Sequence, residues 1–320
     1  MAEETRNTLS ELIKGLADKK VLVVGDCIID EHVYGKPIGL SLETPTMKLM
    51  HQKTILELGG AGNVVKHLAS LGVQTHFITL IGDDSYSSLI QQLIPEGVIL
   101  YPIQESERTS TVKRRFWGNN YRLLQIDHLD NREINSEREK EIIEVFKEAV
   151  KKVDCVLLVD YQHGLMSASL VEELKRISKE NEKFVVASSQ ISEKNSNHLN
   201  YKGVDLICMN LKEARAVVKD FEPLKDAERL KEILFSNVCI TLGKEGALLY
   251  YQGVPYMKEG INIEEVDPTG AGDAFLAMLT STDIQHHPIE SLQLANIWAG
   301  MSVMLPGTKA PALTSIGEHL

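Results

Sequence analysis

Asp267-Pro268-Thr269-Gly270-Ala271-Gly272-Asp273 runs directly into Ala274-Phe275-Leu276-Ala277-Met278-Leu279, a polar glycine loop opening an apolar helix. The first amides of a helix lack intrahelical acceptors and carry partial positive charge, so they attract anions. A carboxylate there, Asp273, is expected to stay ionised and to take a proton beside a bound phosphate. The backbone of Gly270, Ala271 and Gly272 would then surround the anion. The same residues also fit a glycine turn in which Asp273 only caps the helix.

Other groups upstream suit the same chemistry. Gly59-Gly60-Ala61-Gly62-Asn63 opens another helix, but Val65 stands where a dinucleotide fingerprint needs its third glycine. Glycines that admit a polyol to the backbone, with Asn63 donating and accepting, fit better; a hinge capped by Asn63 fits as well. Asp26 and Asp30 follow the first apolar run, where carboxylates grip sugar hydroxyls or cap a turn. Lys113-Arg114-Arg115, with Arg122 nearby, is the most basic cluster. It reads as a solvated strand face or a phosphate clamp, with Lys113 and Arg115 on one side and Arg114 on the other. Asn210-Leu211-Lys212-Glu213 is a helix cap with an acid in the first turn, or a place where Glu213 holds a hydrated Mg2+ near nucleotide phosphates. Gly243-Lys244-Glu245-Gly246 is a turn or a backbone shelf under a nucleotide. P-loop, Gly-x-Ser-x-Gly and His-Glu-x-x-His patterns are absent from the sequence.

These residues sit at repeated places. Short apolar runs at 21–24, 77–81, 155–159, 184–187, 206–209 and 238–242 each end in Gly, Asp, Ser or Asn. Amphipathic stretches at 63–71, 137–150, 168–180 and 213–218 fall between several of them, and 6–17 also has helical spacing. Strand, polar end, helix, strand predicts an α/β fold with a mostly parallel sheet whose strand ends carry the ligands. Segments 31–57 and about 101–126 are β-rich without core helices, which predicts a small secondary sheet acting as a lid or an interface. Neither repeats nor linkers divide the chain, so residues 1–320 are expected to form a single domain.

Composition restricts the partners. A net charge of −11 argues against nonspecific binding to nucleic acid or anionic membrane, while a local basic cluster still admits small anions. Cys27, Cys155, Cys208 and Cys239 lie in or beside apolar runs without metal-ligand spacing and read as reduced core thiols. With no signal peptide and no apolar stretch near the roughly 20 residues of a membrane span, a cytoplasmic protein is expected.

Together the Gly59/Gly60/Asn63 element, Asn210 with Glu213, the 241–246 stretch and the 267–273 loop resemble, in their order, the ribokinase-like (PfkB) carbohydrate kinase family. The resemblance implies a three-layer sandwich with a β lid, and phosphoryl transfer from ATP with Mg2+ and, as a candidate, a monovalent cation such as K+. By resemblance residues 270–273 form an anion hole and Asp273 is the base. Asn210 and Glu213 organise Mg2+ and phosphate, and Thr241, Gly243, Gly246, Gly272 and Asn296 surround ATP. The lid of such kinases implies a homodimer.

Within the family the resemblance is strongest to bacterial D-glycero-D-manno-heptose-7-phosphate kinases of lipopolysaccharide-core synthesis. It rests on Val24-Gly25-Asp26-Cys27-Ile28-Ile29-Asp30, Ser41-Leu42-Glu43-Thr44-Pro45, Lys113 with Arg115, and Leu158-Val159-Asp160-Tyr161. It implies phosphorylation of the anomeric hydroxyl, with Asp30, Gly60, Asn63, Lys113, Arg115 and Asp160 facing the sugar phosphate. Some such kinases are fused to a nucleotidyltransferase; this chain is expected to be the kinase alone. Three departures stand out. His163 replaces a lysine in Asp-Tyr-x-Lys-Gly, Ser188-Ser189-Gln190-Ile191 replaces Asp-Pro-Lys-Gly, and Pro268 replaces threonine or valine. The rival readings are a kinase for ribose, fructose phosphate or a nucleoside, a degenerate kinase-like binding protein, and a nicotinamide oxidoreductase.

Overall fold

The computed structural model describes residues 3–119, 121–191 and 196–320. In chain order its strands are β1 (Lys20–Gly25), β2 (Cys27–Leu40), β3 (Met47–Gly60), β4 (Gln74–Gly82), β5 (Ile99–Glu105), β6 (Thr111–Gly118) and β7 (Tyr121–His128). There follow β8 (Cys155–Asp160), β9 (Phe184–Ser189), β10 (Leu206–Asn210), β11 (Asn237–Thr241), β12 (Ala247–Tyr251) and β13 (Val254–Lys258). The helices are α1 (Glu3–Gly15), α2 (Ala61–Ser70), α3 (Ser85–Leu93), α4 (Ser136–Ala149), α5 (Ala168–Glu180), α6 (Leu211–Val217), α7 (Pro223–Leu234), α8 (Ala271–Ser281) and α9 (Pro288–Val303).

A nine-stranded sheet has the order β13-β12-β11-β10-β9-β8-β1-β4-β5. Its pairs are parallel from β11 to β5, and β12 and β13 close one edge antiparallel. The apolar runs are strands because both of their faces are covered. Period-two alternation sends Val21, Val23, Leu157 and Cys208 into a core shared with α1, α2, α8 and α9. Leu22, Val24, Leu158 and Met209 enter the opposite core with α4, α5, α6 and α7. The result is a helix–sheet–helix sandwich, and all four cysteines are free and buried in it.

Immediately past β1 the chain leaves this sheet. β2 pairs antiparallel with β3 and parallel with β6, and β6 pairs antiparallel with β7, giving a four-stranded sheet of order β3-β2-β6-β7. Its strands cover more than the expected 31–57 but differ from the expected 101–126; residue 120, inside that span, lies outside the described residues. Residues 99–105 instead extend the large sheet as β5, parallel to β4. Pro102, which has no amide to donate, is tolerated there because β5 is an edge strand, and only Ile103 of the strand is buried.

Candidate active site

α8 starts between two cavities. Gly270 precedes it with φ +82°, and no side chain caps its first turn. A Cβ on Gly270 would lie 2.6 Å from Asn63 Nδ2, so this corner requires glycine twice over, for its left-handed backbone and for the amide packed against it. The larger cavity, about 400 Å3, is lined by Thr241, Gly243, Gly246, Ala271, Gly272 and Asn296 among others. The smaller, about 90 Å3, is lined by Asp160, Tyr161, Asn210, Glu213 and Asp273 and shares Thr241, Gly272 and Phe275 with the first.

Asp273 is held at both oxygens. Tyr161 Oη donates to Oδ1 at 2.5 Å, and Asn63 Nδ2 donates to Oδ2 at 2.8 Å. Burial pushes its carboxyl up to about 6; the Tyr161 and Asn63 hydrogen bonds pull it back, Asp30 raises it and Lys66 lowers it. Desolvation therefore outweighs the helix terminus, contrary to the simple expectation of a strongly ionised acid, yet the group remains mostly a carboxylate at neutral pH. Asn63 is wholly buried and its Oδ1 has no partner among the described residues. An acceptor left open beside a proton acceptor suits a hydroxyl donor.

Asn210 and Glu213 form a complete capping box at the start of α6. Asn210 Oδ1 accepts from Glu213 N at 2.9 Å and Glu213 Oε2 accepts from Asn210 N at 2.7 Å. Glu213 is nevertheless a wall of the Asp273 cavity, and burial raises its carboxyl to about 7 against the hydrogen bonds from Asn210. A single carboxylate on the wall of this cavity fits the expected Mg2+ as an ion that keeps most of its waters. No cluster of three or more acidic, His or Cys ligands occurs among the described residues.

The residues expected around ATP are positioned by backbone. Gly246 has φ +94°, and a Cβ there would collide with Lys258 O and Gly260 N. Asn296 Nδ2 donates to Lys258 O at 3.0 Å and to Glu259 O at 3.3 Å, so α9 fastens the strand end that Gly246 packs against.

On the small sheet, Asp30 lies directly opposite Lys113 and His32 opposite Arg115. Alternation separates the basic run as expected: Arg115 Nη1 pairs with Asp30, while Arg114 Nε pairs with Glu31 at 2.8 Å on the other face. Gly60 sits at the junction of β3 and α2, next to Ala61, whose amide donates to Asp26 O at 2.9 Å. The two early acids thus divide: Asp30 meets Arg115, and Asp26 accepts the amides of Tyr161, His163 and Leu165 at 2.9, 3.3 and 3.4 Å. Asp160 lines the smaller cavity, but its carboxylate accepts from Gln162 N at 2.8 Å in its own turn, from Ser189 Oγ at 2.9 Å at the end of β9 and from Asn197 Nδ2 at 3.3 Å, which engages it within the protein. His163, in the lysine's place, bonds through Nδ1 to Asn131 Oδ1 at 2.8 Å. Burial, then Lys113, lowers its ring to about 4, so it is neutral near pH 7 rather than titrating there.

Sequence reasoning quotes Tyr161 in the 158–161 run but gives it no role in the site. Its partner Asp273 is 112 residues away, and a tyrosine after a strand end signals nothing alone; the adjacent strand-end Asp160 is the only local cue.

A family model described as pfkB family carbohydrate kinase matches residues 18–315. The Bifunctional protein HldE of a Nitratiruptor species is 32% identical over 308 residues, covering 94% of this chain and 64% of that protein. The protein of the same name from Campylobacter fetus subsp. fetus is 32% identical over 307 residues, covering 93% and 65%. The chain therefore spans less than two thirds of the length of these relatives. Among solved structures, Arabidopsis thaliana ribokinase complexed with ribose and ATP superposes with a TM-score of 0.74 at 19% identity, covering 94% of this chain and 98% of that one. Phosphofructokinase-2 from Escherichia coli in complex with potassium gives 0.75 at 17%, covering 94% and 97%, and these two likenesses concern the ribokinase-like fold. With nearly its whole length matched by the family model, the chain belongs to the pfkB family of carbohydrate kinases and is a phosphotransferase with an alcohol group as acceptor.

Proposed function

We propose that the chain transfers the γ-phosphoryl group of ATP to a hydroxyl of a sugar phosphate, and that the acceptor is the anomeric hydroxyl of D-glycero-D-manno-heptose 7-phosphate, on the route to ADP-heptose. The observation that carries this reading is the two-sided placement of Asp273. It stands at an uncapped helix start on the wall of the phosphate-sized cavity, within hydrogen-bond reach of Asn63, whose second polar atom is open. Lys113 and Arg115 on the sheet face of Asp30 favour an anionic acceptor over a neutral sugar or a nucleoside. The similarity to relatives named Bifunctional protein HldE is in keeping with the resemblance to heptose-phosphate kinases drawn from the sequence.

In this reading Asp273 takes the proton of the attacking hydroxyl, Asn63 Oδ1 and Asp30 orient the sugar, and Lys113 and Arg115 hold its phosphate. The first amides of α8 face the transferred group, and the loops at Thr241, Gly243, Gly246 and Asn296 accommodate the nucleotide. Mg2+, when bound, supplies charge neutralisation on the phosphates, and Glu213 with Asn210 is where it would be held. Transfer of this kind is chiefly positioning plus electrostatics. The potassium complex of the Escherichia coli neighbour supports testing K+ as an activator. Exposed Ile38, Leu40, Met47, Met50, Leu124 and Ile126 on the small sheet support a homodimer through that sheet. No helix among the described residues is long and apolar enough to cross a membrane.

ADP release should be followed with Mg-ATP and a panel of sugars and sugar phosphates. Heptose 7-phosphate is expected to be turned over fastest. Asp273→Asn is expected to lose turnover by a factor on the order of 10^2–10^4 while still binding ATP. Equal turnover of this variant would refute the base assignment, and a faster different acceptor would refute the substrate.

A further inference from the structure

Asp26 has no part in the chemistry just described, yet it is buried and organised. Its carboxylate lies at the end of β1 and accepts the amides of Tyr161, His163 and Leu165, three residues of the turn after β8. Asp160 begins that turn and is tied to Gln162 N, Ser189 Oγ and Asn197 Nδ2. The turn's product is Tyr161, whose hydroxyl reaches Asp273 Oδ1 while Asn63 holds Oδ2. One donor on each oxygen fixes the plane of a carboxylate that a single donor would leave free to rotate.

We propose that Tyr161 is a positioning residue for the Asp273 carboxylate and that the buried Asp26 carboxylate sets the turn that presents it. This inference rests on Asp273 being the proton acceptor. The charged and titratable groups facing this assembly are Asp30 and Lys66 around Asp273, Asp30 and Glu213 around Tyr161, and Asp160 beside Asp26, with Tyr201 facing Asp160. These side chains are engaged elsewhere: Asp30 pairs with Arg115, Glu213 Oε2 accepts from Asn210 N, Lys66 bonds to Leu58 O and Thr308 Oγ1, and Tyr201 faces Asp160. Burial drives the Asp26 carboxyl up to about 7, and the three amides oppose that rise, in keeping with a group retained for the bonds it accepts.

The test is the pH profile of kcat and kcat/KM with Mg-ATP and the fastest acceptor of the sugar-phosphate panel. Tyr161→Phe removes one donor to the ionised base, so the acid limb is expected to move up by about one pH unit, with kcat reduced at least about tenfold and KM for ATP unchanged. Asp26→Asn puts an NH2 group against the amides of the turn and is expected to move the limb in the same direction. Combined with Tyr161→Phe it should add little, since both act through one contact. An unshifted limb in Tyr161→Phe overturns the proposal, whether or not Asp26→Asn folds. An unshifted limb in a folded Asp26→Asn overturns the part given to Asp26. Undiminished turnover in Asp273→Asn would instead remove the reading beneath, so the two failures are distinct.

Discussion

Replacing Asp30 with Asn should separate the stability role of the small sheet's ion pair from its proposed role in acceptor binding. The side chains of Asp30 and Arg115 are 8% and 13% exposed, so the pair is largely desolvated. Removing one partner of a buried pair costs roughly 3–5 kcal/mol because the other charge stays behind. Arg115 Nε keeps Gln125 Oε1 at 3.2 Å, which favours the lower end, while Lys113 opposite Asp30 adds like charge. About 3 kcal/mol corresponds to a fall in Tm on the order of 5 °C for a chain of this size. Asp30→Asn/Arg115→Gln removes both charges and is expected to recover most of that loss, with a coupling of about 2 kcal/mol in a double-mutant cycle. Neither variant should recover acceptor binding: KM for the sugar phosphate rises in both while KM for ATP stays put. Because Asp30 raises the Asp273 carboxyl, Asp30→Asn should also carry the acid limb of the rate to lower pH. Thermal scans of the singles and the double decide the matter. A single variant as stable as the parent, or a double less stable than the sum of its singles, would refute this reasoning.

Gly246→Ala forces a side chain into a backbone region reserved for glycine and against Lys258 O, so a loss of about 1–3 kcal/mol and weaker ATP binding are expected, read by thermal shift with and without Mg-ATP. Glu213 has a folded-state carboxyl near 7, above its ordinary range, so the folded chain retains a proton that the unfolded chain releases. Its contribution to stability is thus present below about pH 4.5 and lost as pH rises through about 7, and Glu213→Gln should flatten that slope in urea midpoints measured from pH 5 to 8; an unchanged slope would contradict the assignment.

The large sheet is legible in the sequence because each core strand is apolar throughout and ends in a residue that its neighbours leave polar, as Val21 to Asp26 shows. α5 is legible to the residue because Leu170, Val171, Leu174 and Ile177 make one stripe. α9 is not: Leu292, Leu294, Ala295, Ile297 and Trp298 surround the helix, and a helix apolar on every side has no period to detect. β5 reads as lid because one buried side chain in seven does not distinguish an edge strand from a small exposed sheet. In the site, contacts made within one turn, such as the Asn210–Glu213 box, can be read from spacing. Contacts that join distant strand ends cannot: the division of labour between Asp26 and Asp30, and the neutral state of His163, follow from burial and from which element each side chain meets.

The two sheets carry different obligations. Thr241, Asn210 and Glu213 hang from the ends of the long sheet, whereas Asp30, Lys113 and Arg115 are borne by the short one, and β3 and α2 connect them through Asn63. On the proposed assignment, a lineage could therefore retailor what it phosphorylates by rewriting a few positions on β2 and β6, leaving the strand ends of the long sheet untouched. The hinge of that inheritance is the corner at 60–63, where any drift would be felt by both halves at once.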